Sequence, residues 1–206
     1  HLETVKHYRY LHRYPELSFQ EEKTSLYIES VLTDLGIKYQ NRIGGYGILA
    51  WVEGNNPHKR TIALRADMDA LPIYEENHID FKSENDGIMH ACGHDTHVAS
   101  LLSVAKIINK YKDKVEGRIL FIFQPGEEKH PGGALLILED GIFNTYKPDI
   151  IIGQHVYVDA PAGTASFRSG IVMASADEVH IKIKGKGGHG AIPHQINDTV
   201  LAASQV

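Results

Sequence analysis

Cysteine occurs only once in the 206 residues, at Cys92, so no disulfide within the chain can staple the fold. A lone thiol keeps a metal-binding or catalytic role open. Long apolar runs are also missing: none approaches the roughly 18–20 residues that a membrane span requires. Surplus positive charge is lacking too, with 21 Lys and Arg against 26 Asp and Glu and a formal net charge of −5. That balance gives no reason to expect nucleic acid or an anionic membrane as partner. No internal repeat or low-complexity tract is found. No signal-peptide pattern opens the chain, which starts at His1 and not at Met. A free thiol without a signal points to the cytoplasm.

What is present in quantity is histidine, 13 residues of it, beside a hydrophobic fraction of 42%. The apolar material suffices for one large domain, or one domain and part of another. The pattern of elements is alternating. A first segment from Leu2 to Tyr14 ends at Pro15. Ser18-Phe19-Gln20-Glu21 has the spacing of a capping box for a helix carrying Leu26, Ile28, Val31, Leu32 and Leu35, and Gly36 is its stop. Strands are predicted at Ile48–Val52 and Thr61–Ala66, then a helix from Thr96 to about Lys110 with Val98, Leu101, Leu102, Ala105 and Ile108 on its apolar face. Arg118–Phe123 reads as a buried strand, Gly133–Glu139 as a helix closed by Gly141, and Ile150–Val156 as another buried strand. Alternation of this kind predicts an α/β domain around a largely parallel central sheet.

The character changes near Ser169. From Asp177 the residues alternate, Val179, Ile181 and Ile183 against His180, Lys182 and Lys184, which predicts a strand with one wet face. The expected boundary falls at about Ile171 to Ala176, dividing the chain into residues 1–173 and 174–206. Val206 lies inside an apparent helix begun near Asp198, so the second domain reads as unfinished.

The chemistry collects where strands end. His90-Ala91-Cys92-Gly93-His94-Asp95-Thr96-His97 packs three histidines, the thiol and a carboxylate just ahead of a helix. Asp67 and Asp69 follow Thr61–Ala66, Glu127 and Glu128 follow Arg118–Phe123 across a Pro-Gly turn, and His155 ends the isoleucine strand. In open α/β sheets, sites form beyond the carboxyl ends of the strands, so these groups are expected to meet on one sheet edge. Each has an ordinary reading when taken alone. Cys92 could be a small buried hydrophobe or half of a Cys–His dyad, although an i, i+2 histidine rarely reaches general-base geometry. In an extended loop, Cys92 and His94 would face the same way. Asp67-Met68-Asp69 could be a turn, Glu127-Glu128 a helix start, and His155 a core histidine. Adjacent carboxylates point in different directions, so one can hold a metal while the other holds a water. Gly185-Lys186-Gly187-Gly188-His189-Gly190 fits G-x-G-x-x-G, but Pro193 and the alternating strand before it argue against a dinucleotide site. A glycine-rich bend presenting His189, or a plain turn, fits better.

Six motifs together carry a resemblance. Arg9–Glu16, Ala63–Pro72, Met89–His97, Gln124-Pro-Gly-Glu-Glu128, Gly153-Gln-His-Val156 and Gly187–His194 closely resemble, in order, the dinuclear-metal amidohydrolases. That family includes hippurate hydrolase, N-acyl-amino-acid deacylases and plant auxin-conjugate hydrolases, within the aminoacylase/carboxypeptidase clan. The resemblance implies a zinc-exopeptidase-like catalytic domain and the start of a smaller α+β lid or dimerisation domain. It implies Cys92, His94, Glu128 and His155 as ligands of two divalent ions, with Cys92 able to bridge them. Zinc suits the thiol and imidazoles, and manganese, cobalt or nickel are alternatives. Glu127 is then the general base, Asp69 an orienting residue, and His189 a lid group facing the substrate and developing oxyanion. His12 and Asp67 support, and His90 and His97 stand by. The implied reaction is hydrolysis of an N-acyl amino acid by a homodimer. A dipeptide exopeptidase and a non-catalytic metal-binding relative are the alternatives. Gly126 and Gln154 stand where the family often has alanine and leucine. The family's last histidine ligand comes after its lid and is not among these residues.

Overall fold

The computed structural model describes residues 1–175 and 177–206. It contains two compact units, His1–Thr164 and Ala165–Val206. Ala176, at one edge of the expected boundary, lies outside the described residues.

The first unit is built on a five-stranded mixed sheet in the order β1-β2-β4-β3-β5. Its strands are β1 (Lys38–Ile43), β2 (Gly47–Glu53), β3 (Thr61–Asp67), β4 (Arg118–Gln124) and β5 (Ile150–Gly153). β4, β3 and β5 run parallel, while β1 and β2 are antiparallel to their neighbours. Period-two alternation along β4 decides the layering. Phe121 and Phe123 join Ile48, Ala50, Val52 and the helices α1 (Leu2–Arg13), α2 (Glu22–Asp34) and α3 (His94–Lys110) in one core. Leu120 and Ile122 face the other way, into a smaller core with Leu49, Ile137 and Ile142 from α4 (Gly133–Glu139) and α5 (Ile142–Thr145). Both faces of the central strand are covered, which is why β4 reads as a continuous apolar run.

Three local expectations change. The capping box does not form: α2 starts at Glu22 without a side-chain cap from Ser18 or Glu21. Glu16 accepts from the Lys23 and Thr24 amides at 3.2 and 2.8 Å in their place. Ser18 and Glu21 are drawn elsewhere, to Asp69 and to the Gly126 amide. Strand β1 was not predicted, because Lys38–Ile43 is mostly polar and lies on an edge. Finally, β5 stops at Gly153 and its isoleucines are open, Ile151 at 53% and Ile152 at 52% exposure. It is an edge strand, paired with β3 alone.

In the second unit, the segment from Asp177 has no strand among the described residues, and Val179 and Ile181 are exposed. A strand exists only through its ladder bonds to a neighbour, and none is supplied there. The short helix α6 (Thr199–Ala203) starts where the sequence predicts, with Asp198 Oδ1 accepting from the Val200 and Leu201 amides. No helix is long and apolar enough to cross a membrane among the described residues.

Candidate metal centre

The carboxyl ends of β3, β4 and β5 and the amino end of α3 meet at one place, as the strand order requires. His94 is its pivot. Three groups of potential ligand atoms each lie within 4.8 Å: Cys92, His94 and His155; Asp67, His94 and His97; and His94, Glu127 and Glu128. Cys92, His94, Glu128 and His155 are therefore brought together, with Glu127 beside them. His189 belongs to the second unit, where it is exposed and its Nδ1 accepts from the Ala191 amide.

Cys92 and His94 do not converge through an extended loop. Gly93, between them, sits at φ +84° as the N-cap of α3 and reverses the chain there. A side chain at this position would also place its Cβ 2.7 Å from Val156 Cγ2. Positive φ and this close approach together select glycine. Thr96 Oγ1 closes the turn by donating to the Gly93 carbonyl at 2.6 Å.

His94 is fully buried. Its Nδ1 donates to the Asp69 carbonyl at 2.9 Å, with Asp69 Oδ1 at 3.3 Å. In the neutral ring that bond leaves Nε2 as the lone-pair nitrogen, and Nε2 has no hydrogen-bond partner. It faces Asp67 Oδ2 at 3.7 Å, Glu128 Oε1 at 3.7 Å and Glu127 Oε2 at 3.9 Å. An orphaned imidazole nitrogen directed into a group of carboxylates is costly without a cation and satisfied with one. The donors fit divalent-metal chemistry: two imidazoles, a thiol and carboxylates. The backbone bond behind His94 is the support that metal-ligating histidines commonly have.

Asp69 organises the floor. Its Oδ2 accepts from Ser18 Oγ at 2.7 Å and from the Glu128 amide at 2.9 Å. Burial works to raise its pKa, but the bonds from His94, Ser18 and the Glu127 and Glu128 amides prevail and hold it down at about 2. His12 braces the other side, with Nδ1 on Asp95 at 2.7 Å and Nε2 on Glu75 at 3.1 Å. The bond to Asp95 leads in raising the His12 pKa, and the bond to Glu75 raises it further. Without a cation, burial, the Glu128 bond and the charges of Glu127 and Asp67 push Cys92 up to about 12, so the group is a thiol. That is the opposite of an activated nucleophile, which needs a lowered pKa.

Glu127 and Glu128 differ in their surroundings. Glu128 is anchored through its amide and its side chain is 22% exposed. Glu127 is 42% exposed, and its carboxylate makes no hydrogen bond among the described residues. Burial first, then the charge of Glu128, raise its pKa.

Two residues have fuller roles than the sequence indicated. Asp67 accepts from Arg65 and from His97, each at 2.6 Å, and His97 also receives the Val156 amide at 3.0 Å. His97 stands three residues after His94 in the predicted helix, which places both on one helix face. That spacing was the available signal.

Residues 63–204 match peptidase family M20/M25/M40. The chain is 44% identical over 198 residues to an N-acyl-L-amino acid amidohydrolase of Geobacillus stearothermophilus, covering 96% of this chain and 53% of that protein. It is 42% identical over 199 residues to an N-acetyldiaminopimelate deacetylase of Bacillus cytotoxicus, covering 96% and 52%. A crystal structure of a Bacillus subtilis dinuclear-metal-binding peptidase of the M20 family superposes with a TM-score of 0.73 at 39% identity, over 79% of this chain and 45% of that one. The chain spans about half the length of the curated relatives it matches.

Proposed function

The chain belongs to peptidase family M20/M25/M40, and from that premise we propose that it carries the metal-binding half of a hydrolase for the amide bond of N-acyl amino acids. The observation that carries this reading is the orphaned Nε2 of His94, buried among three carboxylates and beside a thiol and a second imidazole. Cys92, His94, Glu128 and His155 would hold two divalent ions, zinc first among them. Bound there, the ions would acidify water and polarise the scissile carbonyl.

The chain's own residues would do the rest. Asp69 holds the His94 ring through its carbonyl and the Glu128 segment through its carboxylate. Glu127, unencumbered and with a raised pKa, takes the proton from water as it attacks the carbonyl carbon. It then passes that proton to the leaving nitrogen, so the amide becomes a carboxylic acid and an amine. His189, from the second unit, is the candidate donor to the oxyanion. The relatives named N-acyl-L-amino acid amidohydrolase and N-acetyldiaminopimelate deacetylase support an acyl-amino-acid substrate. A homodimer formed through residues 174–206 and a cytoplasmic setting complete the proposal.

The test combines metal analysis with turnover of N-acetyl amino acids, N-benzoyl amino acids and dipeptides by the whole protein. The expected result is two divalent ions per protomer and preference for an acylated amino acid. Preference for dipeptides would move the assignment to an exopeptidase. Full metal content without turnover of any of them would leave a binding protein.

A further inference from the structure

We propose that His97 is a positioning residue: it orients the candidate ligand His155 through a chain of hydrogen bonds that starts at Asp67 and holds the Val156 backbone. The inference rests on the metal reading above and extends it to a residue outside the ligand set.

His155 needs such a device. Strand β5 ends at Gly153, so His155 lies beyond the ladder, on an exposed segment after an edge strand. Neither regular structure nor deep burial holds its ring. What holds it is a chain of bonds whose directions can be worked out. The Val156 backbone N–H can only donate, and it donates to His97 Nε2 at 3.0 Å. Nε2 of His97 is therefore the lone-pair nitrogen. Its proton sits on Nδ1, which donates to Asp67 Oδ1 at 2.6 Å. In the next peptide group, the Val156 carbonyl can only accept, and it accepts from His155 Nδ1 at 2.7 Å. That bond places the His155 lone pair on Nε2, the atom that faces Cys92 Sγ at 3.3 Å. The Val156 carbonyl therefore sets the His155 tautomer, and the bond from the Val156 amide to His97 sets where that stretch of backbone sits. A carboxylate at the end of β3 thereby holds, through His97, the backbone against which the His155 ring is oriented.

Packing reinforces the relay. The His97 ring lies 4.8 Å from the His155 ring at 71° and 5.5 Å from the His94 ring at 29°, so it packs against both candidate ligands, which themselves meet at 6.0 Å and 83°. Both His97 nitrogens are committed, which removes His97 itself from the ligand set despite its place among the close groups. Arg65 anchors the start by donating to Asp67 Oδ2 at 2.6 Å and to Gln124 Oε1 at 2.9 Å.

Two substitutions divide the relay. In His97→Gln the side-chain oxygen reaches about where Nε2 stood and can still accept from Val156, whereas in His97→Asn the amide reaches only Asp67. The experiment titrates metal-free whole protein with cobalt and follows stoichiometry and the thiolate-to-cobalt charge-transfer absorption from Cys92. A separate measurement reads the ring-nitrogen tautomers of His97 and His155 by NMR in metal-free wild-type protein at about pH 8. The expected result is Nδ1-protonated rings at both positions. In addition, His97→Asn should lose about 10–100-fold in affinity for one of two cobalt ions, the loss typical of removing a group behind a ligand, and His97→Gln should recover most of it. An Nε2-protonated His97 in the wild type, or equal cobalt affinity in all three proteins, would overturn the relay. Wild-type protein that takes up no cobalt would instead overturn the metal reading itself. The tautomer measurement requires no variant to fold.

Discussion

Glu127→Gln in the whole protein is expected to keep its metal and lose about 10²–10⁴-fold in turnover, the usual worth of a general base. Glutamine has nearly the shape of glutamate and cannot take up a proton under these conditions. The substitution therefore removes the proposed chemistry while sparing the geometry. The neighbouring carboxylate is not an equivalent candidate. Glu128 is fixed through its amide to Asp69 Oδ2 at 2.9 Å, and its carboxylate faces His94 Nε2 at 3.7 Å. Glu127 is the more exposed of the two and has a raised pKa from burial and from Glu128, both of which suit a base that must receive and release a proton. The loss should fall on kcat with little change in KM, because the proton moves only as the transition state forms. Metal analysis beside steady-state kinetics checks it. Near-normal turnover would remove Glu127 from the base role.

Glu21→Gln is expected to flatten the pH dependence of stability. Glu21 is wholly buried, with Oε1 accepting from the Gly126 amide at 2.7 Å and Oε2 without a partner. Burial dominates its environment and, helped by the charge of Asp69, raises its pKa to about 7 against the opposing bonds from backbone amides. In the unfolded chain a glutamate titrates near about 4.3. Between those values the folded protein holds a proton that the unfolded chain has released, so stability falls as pH rises through the window. At about 1.4 kcal/mol per pH unit, the wild type should lose roughly 3 kcal/mol between pH 4.5 and 7 on account of this group. Glutamine keeps an acceptor for the Gly126 amide and carries no charge at any pH. His12, whose pKa is raised, also contributes stability that fades as pH rises, but equally in both proteins. The Asp69 contribution is lost only as pH falls from about 4 toward about 2, below this window. Denaturant unfolding at several pH values, compared between the two proteins, isolates Glu21. Parallel stability curves would show that its carboxyl is not protonated in the folded state.

Much of this protein was legible along the chain because the pattern there was local and periodic. The β4 run Arg118–Gln124 had to be covered on both faces, and α3 showed its apolar stripe through Val98, Leu101, Leu102 and Ala105. The convergence of Asp67, Asp69, Glu127 and His155 followed from one rule about the carboxyl ends of strands, with the resemblance adding a role for each. What failed was whatever depended on competition between distant partners. Ser18 and Glu21 have the spacing of a helix cap, yet Asp69 and Gly126, far away in sequence, take their side chains. The isoleucines of β5 promised burial, yet among the described residues no layer of the fold covers them.

The same division runs through the metal centre. Residue order alone determined which groups stand at the strand ends, and therefore that thiol, imidazole and carboxylate would meet. Only the tertiary structure decided which nitrogen each imidazole presents. The Asp69 carbonyl turns Nε2 of His94 inward, while the Val156 carbonyl, on backbone held by His97 and Asp67, does so for His155. A tautomer is chosen by the hydrogen bond on the opposite nitrogen, and in both rings that partner is set or fixed by residues from other elements of the fold.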